Sequence, residues 1–243
     1  MIYSTKGIVL RTVKYGETSV IASIFTEMFG IRSYIVNGVR AHGRTSKGHY
    51  FQPSSMLDMQ VYHSELKNLQ RIRELHWSYI YKDILSDVTK NAVALYMVEL
   101  LQKCLKQPES NPELFQFCED SFRQLDTSNA QITANFPLYF CLRLAHFLGF
   151  RIHNNYSGER NFFHSREGNF SGKILENDHF VEPGISYHIS QLLKASHPND
   201  LLQSKLNQNT RRTIFSALEN YYAFHIPEFG VLKTLPVLHE LLG

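Results

Sequence analysis

The spacing of apolar residues changes once along this 243-residue chain, near residue 78, and that change limits what it can fold into. Before it, "YSTKGIVLRTVKY" and "SVIASIF" are rich in Val, Ile, Thr and Tyr and are separated by "GET", short enough for a hairpin. "TEMFG" supplies the next turn, before "IRSYIV". "SMLDMQVYH" sets Leu57, Met59 and Val61 against Met56, Asp58, Gln60 and Tyr62, the period-two pattern of a strand with one buried face. "NLQRIRELHW" reads as a fifth strand. Five short, twisted strands suit a small closed barrel, because closure removes exposed edges; a small sandwich is the other arrangement.

From residue 78 onward the pattern is helical. "DVTKNAVALYMVELLQKCLKQ" is apolar on most of its circumference, as a buried helix is. "ESNPELFQFCEDSFRQL" opens on a capping Asn111 followed by Pro112. "ANFPLYFCLRLAHFLGF" repeats the device with Asn135 and Pro137, and Gly149 is placed to end it. "QNTRRTIFSALENYYAFHI" is a further helix stopped before Pro227, and a short last one begins near Thr234 with Pro236 in its first turn. Residues 150–184 have Gly and Asn punctuation and no helical period, which marks an insertion of short β-ribbons and loops. The expected class is α+β multidomain: a five-stranded barrel over residues 1–77, then an all-α domain over 78–243 interrupted by this cysteine-free insertion.

Charge is distributed unevenly. The whole chain carries +3, but residues 1–77 hold ten Lys and Arg against five Asp and Glu. A basic first domain on a near-neutral body points to a polyanion. If "GIRSYIV" is a strand, Arg32, Tyr34 and Val36 share a side, so a cation and a ring share a surface; Arg71 and Arg73 likewise share a face of the fifth strand. Cations with interleaved rings suit a single nucleic-acid strand, whose phosphates take the charge while bases stack. The loop "NGVRAHGRTSKGHY" adds Arg40, Arg44 and Lys47. Lys6, Arg11, Lys14, Arg32, Tyr34, Arg40, Arg44, Lys47, Arg71 and Arg73 are therefore the candidate nucleic-acid-binding set. In "LYFCLRLAHFLGF", Arg143 interrupts an apolar helix and either snorkels to water or anchors a carboxylate in an apolar cleft.

Several chemistries find no motif here. G-x-x-x-x-G-K-[ST], G-x-G-x-x-G, G-x-S-x-G and H-E-x-x-H are all missing, so no enzyme activity and no cofactor are expected. Cys104, Cys118 and Cys141 stand singly, and the twelve histidines lack the paired spacing of a structural zinc site, so no metal is expected either. The amino-terminal stretch lacks the pattern of a signal peptide, and no apolar run is long enough to span a bilayer. A soluble, cytoplasmic protein with no membrane partner is the expectation.

The stretch "KGIVLRTVKYGETSVIASIFTEMFGIRSYIVNGVR", with its "YGE" and "TEMFG" turns and "GVR" end, resembles the bacterial recombination mediator family RecO. "LRLAHFLGF" resembles the family's central helix, and "ALENYYAFHIPEFGVLKTLPVLHELL" its carboxy-terminal pattern, so the likeness spans most of the chain. The resemblance implies an OB-fold barrel, a helical body and a non-enzymatic role in recombinational repair at the nucleoid. It further implies binding of single- and double-stranded DNA, annealing of complementary strands, and loading of RecA together with RecR. Binding of the acidic, apolar-ended tail of single-stranded-DNA-binding protein also follows, for which Phe140, Arg143 and Phe147 are the candidates. Many relatives carry two C-x-x-C pairs after the central helix, forming a zinc ribbon; this chain has none there, so zinc is not carried over. A protein-interaction scaffold and an RNA-binding OB-fold protein are the competing readings. Replacing Arg40, Arg44 and Lys47 together by Ala should weaken binding similarly for all sequences and flatten its salt dependence, whereas an unchanged slope would refute their assignment.

Overall fold

The computed structural model describes residues 1–39, 47–173 and 179–242. The chain forms two units, residues 1–82 with 101–123, and residues 83–100 with 124–243.

In the first unit β1 (Ile2–Tyr15), β2 (Ser19–Thr26), β3 (Gly30–Val36), β4 (Met56–Tyr62) and β5 (Leu69–Tyr79) close into an OB-like barrel, in the order β1-β2-β3-β5-β4 and back to β1. All neighbours are antiparallel except β3 and β5. Inward-facing Val9, Ala22, Ile24, Tyr34, Leu57, Met59 and Val61 fill the interior, as the alternation in β4 requires. The turn before β3 needs its glycine: Gly30 has φ +63°, and a Cβ there would collide with the backbone of Glu109.

Two of the three register slips in the barrel set the outward faces. In β1 the register with β2 slips at Leu10, between Val9 opposite Ile24 and Arg11 opposite Ser23. The displaced Leu10 carbonyl accepts a 2.6 Å hydrogen bond from Gln102. An extra residue reverses the parity of a strand. Lys6 before the slip and Arg11 after it therefore both point outward, although five positions apart they would face opposite sides of a regular strand. In β5 the slip lies at Arg73, between Ile72 opposite Val61 and Glu74 opposite Gln60. Helix α1 (Val88–Cys104) and helix α2 (Pro112–Thr127) supply the rest of the unit through residues 101–123. Phe115 of α2 meets Phe25 at 5.4 Å, and Asn111 caps α2 by accepting the Leu114 N–H at 3.0 Å.

In the second unit helix α3 (Ala130–Phe147), buried along most of its length, packs against helix α4 (Pro183–Lys194) and helix α5 (Gln208–His225). Helix α6 (Leu235–Leu241) follows, with Pro236 in its first turn. The insertion holds a three-stranded sheet, β6 (Phe162–His164), β7 (Asn169–Ser171) and β8 (Phe180–Val181), in the order β7-β6-β8. No helix among the described residues is long and apolar enough to cross a membrane.

Helix α3 corrects one expectation. Its start is Asn129, whose side chain accepts the Ile132 N–H at 3.0 Å, and Asn135 and Pro137 lie inside the helix. Asn135 donates to the Ser204 carbonyl instead of capping. The end is as expected: Gly149 has φ +85°, and the Phe150 and Gly149 N–H groups return to the Ala145 and His146 carbonyls. Asn129→Ala should cost about 1 kcal/mol in a denaturant melt, and a neutral outcome would remove Asn129 as the cap.

Candidate nucleic-acid interface

One outer face of the barrel is built by the second half of β1 with β2, β3 and the start of β5. Register places Arg11, Ser23, Ser33 and Leu69 in one row across these strands, and Val13, Ile21, Ile35 and Arg71 in the next. The middle of the face is thus hydroxyl and aliphatic, with one arginine at each margin. Neighbouring strands lie about 4.8 Å apart, so the two margins are about 14 Å apart along the sheet. Arg11, Lys14 and Arg71 are exposed, and none forms an ion pair among the described residues. Tyr15 is 51% exposed beside the β1 margin, and Tyr62, opposite Arg71 on β4, is 46% exposed. Glu17 in the β1–β2 turn is the nearest exposed carboxylate in sequence.

The face formed by the first half of β1, β4 and the end of β5 has the opposite character. A cleft of about 340 Å3 there is bordered by Glu27, Asp58 and Glu74, with Lys6, Gln60 and His76. Three carboxylates on this face disfavour a phosphate chain.

The other expected residues fall in different places. Lys6 donates to both carboxylate oxygens of Glu119, at 3.0 and 3.2 Å, and Arg123 donates to the same group at 2.7 Å. Burial pushes the Glu119 carboxyl up, but the hydrogen bonds and charges of Arg123 and Lys6 outweigh it, and the net shift is downward. Arg73, the bulge residue, lies 3.6 Å from Glu74 in an exposed pair. Arg32, Tyr34 and Val36 do share a side of β3, but it is the inner one. Tyr34 is fully buried in the barrel core, where burial pushes its hydroxyl up to about 12, so its ring cannot stack on a base. Arg32 points the same way near one end of the barrel, its Nε buried without a hydrogen-bond partner. Arg40 and Arg44 lie outside the described residues, and Lys47 just beyond them is exposed. Tyr15 and Tyr62 are functional candidates that sequence reasoning misses. For Tyr62 a signal is present, since the alternation in β4 sets it opposite the apolar positions.

In the second unit Arg143 and Leu142 line a cleft of about 240 Å3 with His146, Arg151, Ile152 and Leu192. The Arg143 Nε is buried without a hydrogen-bond partner. Phe140 is fully buried in α3 and Phe147 is half-buried; neither lines this cleft, whose apolar side is aliphatic. The insertion contains no cysteine, and no group of three His, Cys, Asp or Glu among the described residues could hold a metal ion.

Residues 1–81 match the family model described as "Recombination protein O N terminal", and residues 85–234 the one described as "Recombination protein O C terminal". The chain is 32% identical over 245 residues to a DNA repair protein RecO from Phocaeicola vulgatus, covering 100% of each chain. It is 31% identical over 247 residues to one from Flavobacterium psychrophilum, covering 98% of each. A protein of the same name from Bacteroides fragilis is 30% identical over 244 residues, covering 99% of each.

The Lys6–Glu119 contact yields a prediction with a definite sign. Because the folded Glu119 pKa lies below its ordinary value, the stabilisation is present above the usual glutamate range and is lost as pH falls through and below it. Lys6→Ala should therefore cost about 1 kcal/mol at pH 7, with the gap to the unaltered protein narrowing in melts near pH 3. The salt dependence of nucleic-acid binding should not change. A flattened salt slope at unchanged stability would instead make Lys6 a phosphate contact.

Proposed function

Because the chain belongs to the recombination protein O family, a family of DNA repair and recombination proteins, we propose that it binds single- and double-stranded DNA and anneals complementary strands. The observation that carries this reading is the barrel face margined by Arg11 and Arg71, opposite a face bordered by Glu27, Asp58 and Glu74. A single strand laid along β2 and β3 meets cations on both margins, while Tyr15 and Tyr62 offer rings to unstacked bases. Backbone contacts of this kind are indifferent to sequence, as pairing of arbitrary complements requires. Two polyanions repel, and fixed cations between them lower the cost of their approach.

RecR and RecA enter from the family resemblance, as the partners with which the protein loads the recombinase onto coated DNA. The coating protein's acidic tail is assigned to the Arg143 cleft. There a terminal carboxylate would meet the Arg143 and Arg151 guanidinium groups, and an apolar last residue would meet Leu142, Ile152 and Leu192.

Arg11→Ala combined with Arg71→Ala should lower the salt slope for single strands by about 1.4, near 0.7 for each phosphate no longer neutralised, equally for different base sequences. Tyr15→Ala combined with Tyr62→Ala should weaken binding by about 1–3 kcal/mol per base unstacked and leave the slope alone. If neither pair alters affinity, this face is not the interface. Arg143→Glu should abolish binding of an acidic peptide ending in a free carboxylate on an apolar residue, and retained affinity would remove the cleft from the account.

A further inference from the structure

The small sheet of the second unit has two unlike sides. Phe163 lies opposite Phe170 and Val181, all three buried, whereas His164 lies opposite Asn169 and Phe180 on the other side. A cleft of about 450 Å3 opens on that second side, with Asn169, Ser171, His164 and Phe180 along it and Arg166, Lys173 and Glu167 at its rim. The Phe180 ring stands edge-on to His164 at 4.7 Å. Beside the cleft the Arg166 guanidinium lies 5.8 Å over the ring of Phe224, which is 42% exposed and also meets His179 at 5.1 Å. Arg166 and Lys173 are exposed and form no ion pair among the described residues.

Two unpaired cations at the rim, with the Phe180 ring and the short hydrogen-bonding side chains of Asn169 and Ser171 on one sheet face, match phosphates and an unstacked base. An apolar peptide would find too little buried aliphatic surface here, and a bare anion would leave the rings unused. We propose that this face of the β6–β7–β8 sheet is a second platform for single-stranded nucleic acid, separate from the barrel. The inference rests on the reading of the barrel as a DNA-binding face and extends it to the second strand of an annealing reaction. Two strands held on one covalent chain meet at the effective concentration of an intramolecular encounter, which short tethers raise to the millimolar range. Arg166 and Lys173 take phosphates, Phe180 takes a base, and Glu167 is the one described rim carboxylate that opposes them.

The test uses the full chain and a DNA oligonucleotide of about eight residues, short enough to fill one site only. Native mass spectrometry at low salt should show two oligonucleotides per unaltered chain and one per Arg166→Glu, Lys173→Glu double variant. Annealing of complementary strands should slow at least tenfold in that variant, with its melting temperature unchanged. Glu167→Gln should tighten the second binding event, a gain that misfolding cannot mimic. Two oligonucleotides still bound by the double variant, or one bound by the unaltered chain, would overturn the second platform and leave the barrel reading standing. No binding by the unaltered chain would overturn both. Retention of the second oligonucleotide by an Arg11→Ala, Arg71→Ala variant separates the two sites.

Discussion

In a closed five-stranded barrel every residue is assigned to the inside or the outside by alternation, and a single inserted residue reverses that assignment for the rest of the strand. The slip at Leu10 is the insertion on which the character of this barrel depends. It lets β1 place Gly7 and Val9 against the core before the slip and Thr12 after it, while Lys6 and Arg11 both face out. The Leu10 carbonyl, expelled from the ladder, would be an unsatisfied buried acceptor were Gln102 not donating to it. A helix residue from elsewhere in the chain thus supports the strand irregularity that turns Arg11 toward solvent. The bulge at Arg73 acts in β5, leaving Arg71 outside on one face and Glu74 outside on the other.

The resulting barrel is electrostatically two-sided, and net charge alone conceals this. Of the cations in the first 77 residues, Lys6 serves the buried Glu119, which it shares with Arg123, itself stacked 4.6 Å over the Tyr79 ring. Removing one partner from a buried carboxylate costs more than the attraction it contributes in water, so Lys6 belongs to the packing of α2 residues on β1. Arg11, Lys14 and Arg71 have no such duty. Freedom from internal carboxylates separates a phosphate-binding cation from a structural one, and it confines the proposed strand path to β2 and β3. For a family of repair proteins, which meet arbitrary sequences, a face made of Ser23, Ser33, Ile21 and Ile35 between charged margins offers adhesion without base readout.

Much of this architecture is legible in the sequence, because it rests on local periodicity. Leu57, Met59 and Val61 mark β4, Asn111 and Pro112 start α2, Gly149 ends α3, and the insertion shows its ribbons by Gly and Asn. What escapes is long-range. Tyr34 shares a side of β3 with Arg32, as alternation requires, but only barrel closure decides that this side is the interior. Arg73 aligns with Arg71 in a regular strand, and a bulge leaves no mark in composition. Asn135 with Pro137 imitates a helix start, yet the Asn129 side chain performs the capping and Asn135 is spent on Ser204. Lys6 looks like an exposed cation because its partner Glu119 lies 113 positions away. Phe140 suits a binding cleft on aromatic character alone, whereas it is fully buried in α3, and the apolar lining of the Arg143 cleft is Leu142, Ile152, Leu192 and Leu193.

The central claim is that nucleic acid lies on the arginine-margined side of the barrel and avoids the carboxylate-bordered side. Ultraviolet crosslinking of a single-stranded oligonucleotide to the full chain, with adducts located by mass spectrometry, reads this directly. The account predicts adducts at Tyr15 and Tyr62 and along residues 19–35. Adducts concentrated on Asp58–Gln60 and Glu74–His76, with both tyrosines unmodified, would contradict it.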